Sequence, residues 1–150
     1  MARLRDKNGA TKWTRGRTAV PWAGKKGDRL VALADKSCRS CREGAPRLGA
    51  EELAGFLGEL PHWSVVPPPS GGSATVAQVE RDFPFLDFVS GLRFLNRAAE
   101  IAEEENHHPE LTLSWGHVVV RIWTHTAKGV TEADVILAAK YERLFERDFS

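Results

Sequence analysis

The chain has 150 residues with 42% apolar and 27% charged side chains, proportions of an ordinary globular protein and enough length for one domain with an appendage. It has no apolar run of about 18 residues, which excludes a membrane-spanning helix, and no apolar core behind Met1, which argues against secretion, so a cytoplasmic protein is expected. The net charge of +1 conceals an asymmetry: residues 1–47 hold 13 Lys/Arg against 4 Asp/Glu, and residues 48–150 hold 8 against 16, so a basic arm is joined to an acidic body.

Residues 1–36 show weak apolar periodicity interrupted by Gly, Lys and Arg, and read as a flexible arm. Trp13 and Trp22 sit among its basic residues, either as incidental aromatics of a tail or as a short motif that docks on an acidic surface. Cys38 and Cys41 follow in a CxxC. That pair supplies two thiolates where a structural zinc site takes four ligands, and no second CxxC or HxxxH accompanies it. No βαβ context supports a thioredoxin-like role. A thiol pair in a linker, a metal shared with a partner, and redox chemistry stay open.

The body begins near Leu48. Leu53, Phe56, Leu57 and Leu60 recur at helical spacing within 49–60, and Pro61 is expected to stop that helix. Residues 62–66 read as a short strand, 67–72 (PPPSGG) as a loop, and 73–85 as a second strand ending where Pro84 lacks a donor. The longest helix spans 86–105, with Phe85, Phe88, Val89, Leu92, Leu95, Ala99 and Ala102 as its expected buried stripe. A third strand at 111–115 turns at Gly116-His117 into a fourth at 118–125. There Val118, Val120, Ile122 and Thr124 face one way, and His117, Val119, Arg121, Trp123 and His125 the other. The last helix, 131–148, opens on a capping box with Thr131 as N-cap and Asp134 at N3. The order α-β-β-α-β-β-α, with hairpins and no parallel crossovers, predicts an α+β fold: a four-stranded antiparallel sheet with helices on one face. The other face is then wet or pairs with a second subunit, and Val119 and Trp123 favour pairing.

Glu100, Glu103, Glu104 and Glu105 crowd the end of the long helix, where carboxylates oppose the macrodipole by about 0.3–1 kcal/mol each. Alone, each reads as a solvated surface charge. His107 and His108 follow at once, and Pro109 biases His108 toward extended backbone, so the two rings point to opposite sides and suit a flat ligand better than a shared metal. His125 ends a strand on the non-core face.

Glu103, His107, His108, Pro109, Trp115, His125 and Asp134 together resemble the signature of the pterin-4a-carbinolamine dehydratases. The 17 residues between His107 and His125 and the 8 between His125 and Asp134 agree with that family's spacing. The resemblance covers roughly 47–145, including the LPHWSVV stretch with Trp63 and the long helix. It divides the chain into a basic arm with the CxxC, 1–46, and a dehydratase-like domain, 47–150.

The resemblance implies dimers through edge strands, often tetramers through the central helices, and neither a metal nor an organic cofactor. The implied reaction is loss of water from 4a-hydroxytetrahydrobiopterin to give quinonoid dihydrobiopterin. His107, His108, His125 and Asp134 are the implied catalytic residues, and Glu103, Asn106, Trp63, Trp123, Thr124 and Thr126 the implied substrate-binding ones. The chemistry suits histidine. The C4a hydroxyl leaves as water only when protonated, a nitrogen-bound proton is lost as the C=N bond forms, and imidazole exchanges protons near neutrality. Nearby carboxylates favour the imidazolium and orient the ring.

Three features depart from the family pattern. Asn106 stands where Asp is frequent, Trp123 where a small residue is common, and the loop PPPSGGSAT is longer than usual. A tryptophan at 123 narrows the implied pterin pocket. The alternative reading is a dehydratase-like scaffold without strong catalysis, acting in protein assembly (Rubisco or carboxysome assembly in relatives) or as a dimerisation partner, with the arm touching a protein. A histidine metal site is the least supported reading, and charge alone, without a recognition motif, speaks for nucleic acid.

Overall fold

The computed structural model describes residues 3–5, 11–13, 26–38, 44–67 and 76–150, with side chains from Leu30 onward within those spans. Trp22, Cys41 and most of the PPPSGGSAT loop lie outside the described residues, as does the side chain of Trp13. The elements run β1 (Arg3–Arg5), β2 (Thr11–Trp13), α1 (Lys26–Ala34), α2 (Ala50–Leu57), β3 (Ser64–Val66), β4 (Gln78–Pro84), α3 (Phe88–Glu105), β5 (Glu110–Ser114), β6 (His117–Ile122) and α4 (Glu132–Asp148). β1 and β2 form a separate antiparallel ribbon. The main sheet has the order β3-β4-β6-β5, antiparallel throughout. No described helix is long and apolar enough to cross a membrane.

Alternation makes the sheet two-faced. Val79, Phe83, Val118, Val120 and Ile122 are buried under α3 and α4, with Phe94, Tyr141 and Leu144. The rings of Phe83 and Phe94 lie 4.6 Å apart, and Phe85, Phe145 and Phe149 complete the aromatic cluster. Burying such a ring contributes about 1.5–3 kcal/mol. On the outer face Arg121 bridges Glu80 at 2.5 Å and Glu110 at 2.8 Å, a charged row across three strands. Gln78, beside Val66 and one step along the sheet from the Val79–Ile122 pair toward Trp123, is fully buried. Among the described residues neither of its amide atoms finds a partner.

The helices depart from expectation in three ways. α2 ends at Leu57, ahead of Pro61: Gly58 caps it, and the 59→56 and 60→57 backbone bonds tighten the chain into a turn that still delivers Leu60 to the core. The expected buried stripe of α3 is rotated. Gly91, Phe94, Ala98 and Ala102 are buried, whereas Phe88, Val89 and Leu92 are 45%, 54% and 40% exposed. The first half of α3 is apolar on two faces. The sheet selects the one with Gly91, because a Cβ there would stand 2.9 Å from the Leu113 side chain, and this close approach lets Phe94 seat between strands and α4.

The third correction concerns the flexible arm. Within it, α1 packs on α4, and Leu33, Ala34 and Cys38 join the core. The carbonyl of Ala34 accepts from Lys140 Nζ (2.9 Å) and Arg143 Nη2 (3.0 Å), so two cations of α4 cap the C-terminus of α1. The low periodicity of the arm as a whole hid a short segment held by tertiary contacts.

Candidate active site

Three chain segments meet at one corner of the fold: the exit from α3, the end of β6, and the start of α4. Asn106 adopts a left-handed conformation (φ 51°, ψ 42°) after α3, with its N–H on Glu103 O (3.1 Å) and the His107 N–H on Ala102 O (3.0 Å). This is the Schellman arrangement, and Asn tolerates the left-handed region that it needs. It ends the helix and turns His107 inward, toward α4. The first turn of α4 is closed by the predicted capping box. The Thr131 N–H and hydroxyl reach Asp134 Oδ2 at 2.6 and 2.9 Å, and Asp134 is completely buried.

His107 Nε2 lies 2.8 Å from Asp134 Oδ1, with His107 15% exposed at its side chain. Thr124, just past β6, places its hydroxyl 2.9 Å from Asp134 Oδ2 and 3.0 Å from the Thr131 hydroxyl. Two hydroxyl protons thus serve three oxygen–oxygen contacts, and a carboxylate accepts only. The arrangement satisfied with fewest losses has the hydroxyls and the Thr131 N–H on Oδ2 and the imidazole N–H on Oδ1. Proton counting therefore assigns the His107 proton to Nε2 and leaves Nδ1 as the nitrogen not engaged by Asp134. Burial at a helix N-terminus, where partial positive charge gathers, suits a carboxylate surrounded by donors.

The other expected residues divide. His108 turns the opposite way, its Nε2 3.0 Å from Glu103 Oε1, and both side chains are exposed. His125 lies in the 125–128 turn closed by the Thr124–Gly129 bridge, its ring against Trp123 with centroids 4.8 Å apart and planes at 57°. Thr126 is exposed in the same turn. Asn106, expected among substrate contacts, is the exposed helix terminator. Trp63 is apart from this group. Its ring is buried against Phe83, and its N–H donates to Glu142 Oε2 at 3.1 Å. Glu142 stands eight residues beyond Asp134 on α4, about 12 Å along the axis. Glu142 also pairs with the buried Arg81, whose guanidinium burial pushes down to about 10. Among the described residues no three His, Cys, Asp or Glu side chains cluster to hold a metal ion. Thr131, readable as a cap, also serves the Asp134 carboxylate from its hydroxyl. That second duty had no sequence signal.

An antiparallel four-stranded sheet with helices on one face and a His–Asp pair at the corner between two of them defines the class: an α+β domain. The profile of the family described as pterin 4 alpha carbinolamine dehydratase matches residues 46–144, and the chain belongs to that family. Proteins provisionally named pterin-4-alpha-carbinolamine dehydratase are similar to this chain. That of Syntrophotalea carbinolica is 40% identical over 117 residues, 78% of this chain and 100% of its own, and that of Rickettsia bellii 42% over 113 residues, 75% and 94%. A crystal structure of a transcriptional coactivator/pterin dehydratase from Brucella melitensis superposes with a TM-score of 0.56 at 34% identity, covering 65% of this chain and 97% of the other. A pterin substrate and a lyase activity fit the family.

Proposed function

We propose that the domain at 47–150, with the segment 26–38 docked on it, dehydrates 4a-hydroxytetrahydrobiopterin to quinonoid dihydrobiopterin by histidine acid–base catalysis. The observation that carries the reading is the His107–Asp134 pair at 2.8 Å, which orients one imidazole and leaves Nδ1 outside the pair. In this reading a protonated imidazole delivers its proton to the C4a hydroxyl, the C–O bond breaks, and water leaves. A base takes the nitrogen-bound proton as the C=N bond forms. His107, His108 and His125 share these duties, with Glu103 holding His108 and Asp134 holding His107. The exposed Leu86, Phe88, Val89 and Leu92 support assembly into dimers or tetramers, which the mass in solution tests.

The test is turnover of synthetic 4a-hydroxytetrahydrobiopterin. His107→Ala and His125→Ala are expected to slow it by about 10²–10⁴-fold, the usual contribution of a general acid–base group. Wild-type turnover equal to spontaneous dehydration would overturn the reading. It would favour the second reading, a dehydratase-like scaffold in protein assembly or dimerisation, for which the indole of Trp123 against His125 speaks.

A further inference from the structure

The acidic residues at the end of α3 have different fates. Glu103 goes to His108, Glu100 pairs with Arg97 at 3.1 Å on the surface, and Glu104 is exposed. Glu105 turns inward. Its Oε1 meets Lys140 Nζ at 3.0 Å, and both side chains are nearly buried, at 13% and 12% exposure. Its Oε2 accepts from the Cys38 N–H at 2.6 Å and the Ser37 hydroxyl at 3.2 Å. Burial pushes this carboxyl up, but the Cys38 N–H and Lys140 outweigh it and hold it below the ordinary range. Lys140 also caps α1 at Ala34 O. Beside the same corner, Cys38 Sγ lies 3.5 Å from Ala133 O, and Lys36 pairs with Glu132 at 2.7 Å. The stretch 34–38 thus grips both site elements next to their working residues: α3 two residues before His107, and α4 one residue before Asp134.

We propose that Glu105 is a positioning residue for the His107–Asp134 pair, and that through it the stretch 34–38 governs the geometry of the site. The Schellman turn at Asn106 ties His107 to the end of α3, and the hydrogen bond to Asp134 ties its imidazole to α4 without fixing how the two helix ends sit against each other. The Glu105–Lys140 ion pair is a second link between the end of α3 and α4, and two links define an orientation. Misplacement of a catalytic group by about 1 Å lowers rates by about 10²-fold. The consequence for turnover rests on the dehydratase reading; the consequence for the imidazole does not.

The test compares Glu105→Gln and Lys140→Met with Glu100→Gln as the surface control. Two readouts are used: the ring ¹⁵N and Nε2–H resonances of His107, and kcat and KM for 4a-hydroxytetrahydrobiopterin. Glu105→Gln is expected to shift the ring resonances, speed exchange of the Nε2 proton, and lower kcat by roughly 10–100-fold with KM little changed. Lys140→Met moves both readouts the same way, the double variant adds little to either single change, and Glu100→Gln moves neither. Folded variants with unchanged His107 resonances, while the amides of 34–38 exchange faster, would overturn the proposal. If Glu105→Gln fails to fold, Lys140→Met decides alone. Wild-type protein without turnover would refute the dehydratase reading, and the His107 spectrum would still judge Glu105.

Discussion

The indole of Trp123 lies against the imidazole of His125, ring centroids 4.8 Å apart and planes inclined at 57°. β6 ends at Ile122, so Trp123 leaves the sheet and leans on the turn that carries the histidine. In the dehydratase reading this contact narrows the space beside His125 that the flat pterin would enter. Trp123→Ser is therefore expected to raise kcat/KM for the 4a-hydroxypterin by about tenfold, the scale on which added bulk discriminates in a pocket. Steady-state kinetics check it. An unchanged kcat/KM would mean that the indole does not obstruct the substrate, and a lower one that it supports it.

Asp134 serves the fold and the site with one carboxylate. Asp134→Ala removes the capping interaction of α4, worth about 0.5–2 kcal/mol, and strands the Thr131 N–H and the His107 ring in a buried setting. The expected outcome is a lower melting temperature together with lost turnover. A melt identical to wild type would refute the capping half.

Glu105 gives the docked stretch a pH dependence whose sign follows from its depressed carboxyl. A carboxyl held below its unfolded value of 4.5 stabilises the fold above that pH, and the contribution disappears as pH falls through the folded value. Melting temperatures measured from pH 7 downward should converge for wild type and Glu105→Gln as pH falls below the ordinary carboxyl range. A constant gap across that range would show that the carboxylate charge contributes nothing.

Gln78 buries an amide with no partner for either atom among the described residues, an arrangement that costs about 1–3 kcal/mol. Gln78→Leu is expected to raise stability by about 1 kcal/mol, read as a higher denaturant midpoint at unchanged slope. A lower midpoint would mean that the amide is served by a group it meets only in solution.

Much of this molecule is local and was legible from the sequence alone. The alternation of Val118, Val120 and Ile122 defined the buried face of β6, and Thr131 with Asp134 marked the start of α4, because both rest on short-range backbone geometry. The spacing of His107, His125 and Asp134 carried the family signature. Tertiary structure decided what local pattern leaves degenerate. α3 has two apolar faces, and only contact with Leu113 and Val118 selected the one with Gly91. Trp63 looked like part of the site, yet Phe83 and Glu142 hold it in the core. Glu105 looked like one more solvated charge until Lys140 and Cys38, 35 and 67 residues away in the chain, closed around it. Helical and strand periods report which side chains share a face. Which face is buried, and which charge is paired, depends on surfaces distant in sequence that only folding brings within a few ångströms.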